Sequence, residues 1–219
     1  MALLATLLAG AAFGLALAAP PGPMNAVIAE ESVARGWNSG FRAGLGAMTA
    51  DLLFMVGALL GVVAVIQRVP LLQGGLLAVG GVLMLYFAYG AVTELRSGFR
   101  SAGTEGKGFR KAFLLAVTNP YQILFWLTVG VGLLDPGRVD VLAPLSEALA
   151  GTVVVETGSP ALLAGLFGGI ALWITGFPAT LVVAERRMDR LAPGVAVLSA
   201  LVLAGFGVYF LFDAARTLF

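Results

Sequence analysis

Few residues in this chain could do chemistry. Its 219 residues include no cysteine and no histidine. That removes thiol relays, thiolate metal sites, the commonest metal ligand and the commonest general base. What remains is one carboxylate in an unusual place and a few side-chain amides. Asp51 stands in "GAMTADLLFMVG", inside an apolar stretch and nine residues beyond Arg42. In a helix that is about 13 Å past the last charge. A lone aspartate at such depth costs about 2.5–3.5 kcal/mol on insertion scales and marks a functional position by default. A carboxyl there is able to carry a proton. The structural alternative is an acid bonded to Thr49 or Asn119 that only fixes packing. Glu30 and Glu31 stand closer to the end of a span and are expected to reach water.

The amides come with prolines. "PPGPMN" places Pro20, Pro21, Gly22 and Pro23 together, followed by Asn25, and "TNPYQ" places Asn119 before Pro120 and Gln122 after it. Each proline removes a backbone donor and clashes with the preceding turn. Both clusters fall within apolar stretches, so two helices are expected to break. Broken backbone at membrane depth is tolerated only where it is buried in protein or lines a wet cavity. A break also creates a helix amino end, whose free N–H groups and positive dipole suit an anion such as a carboxylate. A simple proline kink is the plainer reading of either cluster alone. Pro21, Gly22, Pro23, Asn25, Asn119, Pro120 and Gln122 are the candidate substrate contacts, and Asp51 the candidate proton carrier.

The elements that must hold these residues are membrane helices. The chain is 59% hydrophobic and 11% charged, with a mean hydropathy of +0.98, whereas soluble domains carry about 25% charged residues. Apolar segments run over 2–28, 42–66, 70–92, 112–134, 161–184 and 193–212, each with the roughly 20 residues a bilayer crossing needs. Lipid offers the backbone no hydrogen-bond partner, so spans of this length are helices, and they lack the alternation of a barrel. The expected class is an all-α integral membrane protein with six transmembrane helices. Met1 to Pro20 carries no charge and is read as a retained span rather than a cleaved signal. A net charge of +1 points away from nucleic acid.

Six spans put the termini and two loops on one side with Arg68, Arg138 and Arg216, and the other ten Lys and Arg residues on the opposite side. Cytoplasmic loops carry the excess of Lys and Arg. Both termini are therefore expected outside the cell membrane. The loop 135–160 carries four acids against one arginine. It is expected to be a solvated outer loop, with 139–151 able to form a short surface helix. The sharper alternative is a lid over a substrate path.

Three spans per half imply an inverted repeat, with repeat one about 1–100 and repeat two about 108–219. Pro23 with Asn25 matches Pro120 with Gln122, and Gly81 with Tyr86 matches Gly205 with Tyr209. Paired breaks in corresponding spans are the best sequence pointer to a transporter site at a repeat interface. Four-residue glycine spacings at Gly10/Gly14, Gly36/Gly40/Gly44, Gly57/Gly61 and Gly165/Gly169 let helices approach closely. Packing within the chain is the expected use, with a homodimer as the alternative. Trp173 is expected to pack rather than line a pocket.

These motifs resemble those of a family. "GPMN" (22–25), "TAD" with Asp51, "TNPY" (118–121) and "ALW" (171–173) occur in an order similar to that of the LysE family of lysine and threonine/homoserine exporters. The resemblance covers nearly the whole chain. It implies an inner-membrane exporter of amino acids or related small metabolites, driven by the proton gradient, with no cofactor and with Gly22, Pro23, Asn25, Asp51, Asn119 and Pro120 at its centre. The doubled proline before Gly22 and the long loop 135–160 depart from the family pattern. Rival classes fare worse. A hydrolase needs a nucleophile with a base, and no Ser/His or Cys/His pair exists. An exporter of a hard cation would have carboxylates alone as ligands. A non-transport scaffold would leave Asp51 replaceable.

Overall fold

The computed structural model describes residues 2–20, 22–61, 70–96, 107–140, 151, 154–187 and 191–218. Nine α-helices are described: α1 (Ala2–Ala18), α2 (Pro23–Arg35), α3 (Trp37–Leu59), α4 (Pro70–Arg96), α5 (Gly108–Val117), α6 (Pro120–Phe125), α7 (Val131–Leu134), α8 (Pro160–Glu185) and α9 (Leu191–Leu218). A π-helical turn, Trp126–Gly130, joins α6 to α7. Two strands, β1 (Gly137–Asp140) and β2 (Val154–Thr157), pair antiparallel. Among the described residues, α3, α8 and most of α9 are long and apolar enough to cross a bilayer, and α1 with α2 makes a fourth crossing if the bent pair is one span.

The first expected break is present. α1 stops at Ala18, and the chain turns by 83° before α2. Gly22 is the extended residue ahead of α2, and Pro23 occupies its first turn, where a missing N–H costs nothing. The second break follows Val117: Thr118 and Asn119 leave the helix, and α6 starts afresh at Pro120. One residue, Gly36, turns α2 into α3 with φ of +87°, a conformation that side chains other than glycine rarely adopt.

Two glycine contacts set the helix packing. Gly10 and Gly14 on α1 lie against Gly165, Leu166 and Gly169 on α8, so close that a Cβ at Gly14 would overlap the Leu166 carbonyl and one at Gly169 the Ala11 carbonyl. Of the expected small-residue spacings, Gly10/Gly14, Gly165/Gly169 and the pair Gly40 and Gly44 pack within the chain, whereas Gly36 and Gly61 meet nothing within 4 Å. On the other side, α4 crosses α9 where Gly81 meets Gly207, with a built Cβ at Gly81 falling 2.9 Å from the Gly207 oxygen. Gly205, which shares the glycine-then-tyrosine pattern with Gly81, has nothing within 4 Å of its would-be Cβ. Gly169→Ala should cost about 1–3 kcal/mol, because backbone on both sides must shift. Gly168→Ala, whose added Cβ meets nothing within 4 Å, should not lower stability and should raise it by about 0.5–1 kcal/mol through helix propensity. Thermal unfolding of both variants in detergent checks this.

The buried side chains form two groups. One joins α2, α4, α5 and α9 through Val27, Leu77, Met84, Leu115, Leu203 and Phe210. The other joins the π turn to α8 through Trp126, Leu162, Leu166, Ile170 and Ile174. Large apolar residues such as Leu53, Leu71, Leu172 and Leu201 face outward, the arrangement lipid favours.

The loop after α7 differs from expectation. Residues 139 and 140 belong to strand β1, paired with β2 in the register Gly137↔Thr157 to Asp140↔Val154. The surface helix expected over 139–151 therefore does not begin there, and 141–150 lie outside the described residues. The hairpin is anchored to α1, where buried Thr6 accepts from Glu156 N at 3.1 Å. Ser159 caps α8 by accepting from Leu162 N at 3.2 Å.

Candidate functional site

Both breaks border one cavity of about 380 Å³. Its polar lining comes from Asn25 on α2, Asp51 on α3, Asn119 and Gln122 around the second break, and Trp173 on α8. Its apolar walls include Ile28, Met48, Phe125, Ile170, Ile174 and Phe206, drawn from both buried groups. No lysine or arginine lines it among the described residues. Gly22 and Pro23 also border it, as does Pro20. Pro21 lies outside the described residues, and of Pro120 only its place at the start of α6 is described.

Asp51 is 5% exposed. Its Oδ1 accepts from Gln122 Nε2 at 2.7 Å and from Trp126 Nε1 at 2.9 Å. Both bonds fall on the same oxygen, and among the described residues none bonds to Oδ2. The expected partners do not supply these bonds: the Thr49 hydroxyl donates to the Leu45 carbonyl of its own helix at 2.7 Å, and Asn119 stands in the cavity wall. Gln122 Oε1 is buried without a hydrogen-bond partner, a costly state for an amide oxygen.

Trp126 was not singled out by sequence. A fully buried indole carries one N–H that needs an acceptor, and that is the signal that points to Asp51. The π turn begins at Trp126, and its last residue, Gly130, leaves room for the indole: a Cβ there would stand 2.6 Å from Trp126 Cε3. Such turns occur often at functional positions.

Asn25 has a different task from Gln122. Its Nδ2 donates to Ala18 O at 2.6 Å and to Pro20 O at 2.8 Å, so both donors hold the end of α1 against the start of α2. Its Oδ1 accepts from Trp173 Nε1 at 3.0 Å. Trp173 therefore lines the cavity and bonds to the break, and it also stacks on Phe177 at 4.9 Å. Among the described residues, no side chain caps the amino end of α2. Its first helical bond runs from Ala26 N to Gly22 O at 2.9 Å, which leaves the N–H groups of Met24 and Asn25 without an acceptor in the helix.

Glu30 and Glu31 correct the expectation that they reach water. They are 1% and 0% exposed. Lys111 Nζ lies 3.2 Å from Glu30 Oε1 and 3.7 Å from Glu31 Oε1, Arg35 Nη1 lies 3.2 Å from Glu31 Oε2, and Ser39 Oγ donates to Glu31 Oε2 at 2.7 Å.

Long apolar helices surround a mostly apolar cavity that holds Asp51 and a few amides and is bordered by both breaks, the architecture of a membrane protein with an internal pocket. The chain belongs to the LysE type translocator family, whose model matches residues 15–214. Members of that family are transporters rather than enzymes. The chain is 30% identical over 200 residues to an uncharacterized membrane protein of Pseudomonas aeruginosa, covering 86% of each chain. It is 27% identical over 211 residues to a putative amino acid efflux protein of Bacillus subtilis, covering 94% of each. It is also 30% identical over 135 residues to a leucine efflux protein of Salmonella typhimurium, covering 59% of this chain and 62% of that one. No solved structure matches.

Proposed function

We propose that this protein exports a small amino acid with an uncharged side chain from the cell, driven by the proton gradient. The observation that carries the proposal is the Asp51 carboxyl in the cavity wall, with Oδ1 held by Gln122 and Trp126 and Oδ2 open. A substrate ammonium and a proton can each occupy that oxygen, but not together, and mutual exclusion is the simplest way to couple opposed fluxes. The substrate carboxylate goes to the uncapped amino end of α2, where helix N–H groups favour an anion. The walls are apolar and offer no cation to a second carboxylate. This supports an aliphatic side chain, in keeping with the leucine efflux relative.

In this proposal the chain has six spans in two inverted halves. The contacts support it. α1 packs on α8, and α5 packs on α3, which an inverted repeat would make equivalent, while α4 and α9 pair across the axis. The polar contacts repeat the pattern: Asn25 after the first break bonds to Trp173 on α8, and Gln122 after the second bonds to Asp51 on α3.

Everted membrane vesicles test the function. They should accumulate labelled leucine-like amino acids when a proton gradient is imposed and lose them when it is collapsed, with glutamate and lysine excluded. Failure to accumulate any amino acid would overturn the proposal. Orientation is tested separately, because the chain has no cysteine of its own. Gly103→Cys and Ser146→Cys, both outside the described residues, should respectively resist and react with an impermeant thiol reagent added to intact cells. The reverse pattern would invert the topology.

A further inference from the structure

Glu30, Glu31, Arg35 and Lys111 take no part in the cavity, yet the two buried carboxylates and the two half-buried cations are gathered in one place. Lys111 lies on α5, in the second half of the chain, and the two glutamates on α2, in the first. The approach is tight: a Cβ at Gly108 would stand 2.9 Å from Glu31 Cγ. The Phe87 ring of α4 lies 5.9 Å from Lys111 Nζ, so the ammonium sits between an aromatic face and two carboxylates.

Three helices place this cluster relative to the cavity. On α2 the cavity ends at Ile28, and Glu31 follows about 4.5 Å further along the axis. On α3 the cavity begins at Gly44, about 7.5 Å past Ser39. On the fourth expected span the cavity touches Asn119, about 12 Å past Lys111. In each case the cluster lies toward the Gly36 turn and the cavity lies deeper. That end carries the cationic residues assigned above to the cytoplasm.

We propose that the Glu30–Glu31–Lys111–Arg35 cluster is the inner gate of the transporter, tying α2 to α5 when the cavity is closed to the cytoplasm and parting when it opens there. The chemistry suits a gate. Desolvation offsets most of the attraction in a buried ion pair, so such a pair adds little net stability. When the helices separate, water rehydrates both charges, and the open and closed arrangements stay close in free energy. An apolar plug would resist wetting, and an unpaired charge could not stay closed. Gates that switch by regrouping ion pairs between packed elements are a known form of bistability.

The inference rests on the transport reading for its purpose, but its test does not need a substrate. Ala47→Cys places a thiol in the cavity wall of the otherwise cysteine-free chain. Its reaction with an impermeant thiol reagent is followed from each membrane face. Adding Lys111→Ala should speed labelling from the cytoplasmic face by about tenfold, as a lost contact shifts a minor open state toward dominance. The charge exchange Glu30→Lys with Lys111→Glu should restore slow labelling. Unchanged labelling in a folded Lys111→Ala protein would overturn the gate, as would acceleration from the outer face alone. If Lys111→Ala does not fold, Glu30→Cys with Lys111→Cys serves in its place, on a background without the Ala47 change. Oxidative cross-linking should stop counterflow and reductant should restore it, whereas full counterflow in the cross-linked protein would overturn the gate. A chain that moves no substrate but still shows gated labelling would refute the transport reading and keep the gate.

Discussion

Asp51→Asn should insert and fold normally yet lose proton-driven accumulation. The substitution keeps a carbonyl oxygen where Oδ1 accepts from Gln122 and Trp126, so the local packing has no reason to change. What disappears is the group that binds either a proton or an ammonium. Hydrogen bonds to charged groups contribute about 1.5–3 kcal/mol, so substrate affinity should fall between about tenfold and a hundredfold. Gradient-driven flux should vanish, because an amide has no proton to exchange. Asp51→Glu keeps the acid and displaces it by about one bond, so it should retain partial activity. Counterflow and proton-driven flux in proteoliposomes, measured on all three proteins, separate the two effects. Wild-type driven flux in Asp51→Asn would make the residue structural.

Healing the first break should be as damaging. Pro21→Ala, Gly22→Ala and Pro23→Ala together return two of the three missing N–H groups and remove two of the ring clashes, leaving Pro20 as a lone proline that only kinks a helix. A continuous helix cannot keep the 83° bend, so α1 and α2 cannot both stay in their present grooves. The Asn25 bonds to Ala18 and Pro20 would be replaced by helical ones, and the open amino end at Met24 and Asn25 would be gone. We expect inserted protein with no counterflow. Gly22→Ala alone is the control: the residue is extended rather than left-handed, and an added Cβ meets nothing within 4 Å. It should keep the bend and fold normally, with counterflow well above that of the triple variant. Normal transport by the triple variant would reduce the break to a kink.

Much of the site was legible because its signals are local. A carboxylate in an apolar run and prolines inside a span stand out against their neighbours, and Asp51, Gly22, Pro23, Asn25, Asn119 and Gln122 all reach the cavity. What was missed depends on partners far away in sequence. Trp126 reads as one more apolar residue until Asp51, 75 positions earlier, accepts its N–H. Glu30 and Glu31 read as wet charges until Lys111 covers them from the other half of the chain. The two strands pair segments 14 or more residues apart, so their register depends on a partner distant in sequence. Gly205 and Gly207 are alike in sequence, and only the crossing with α4 selects Gly207.

The pairing of α1 with α8 has a consequence for how the protein is made. Gly10 leaves the ribosome about 150 residues before Gly165, and at about 5–20 residues per second that is a wait of roughly ten to thirty seconds. Throughout it, the glycine face of α1 has no α8 to pack against. Glu30 and Glu31 wait as well, until Lys111 is synthesised. The α4 surface around Gly81 waits longer still, for the last helix of the chain. Synthesis and assembly are thus separate in time: the contacts of α1 with α8 and of α4 with α9 form, and the cavity gains its Ile170, Trp173 and Phe206 walls, only when translation is nearly over.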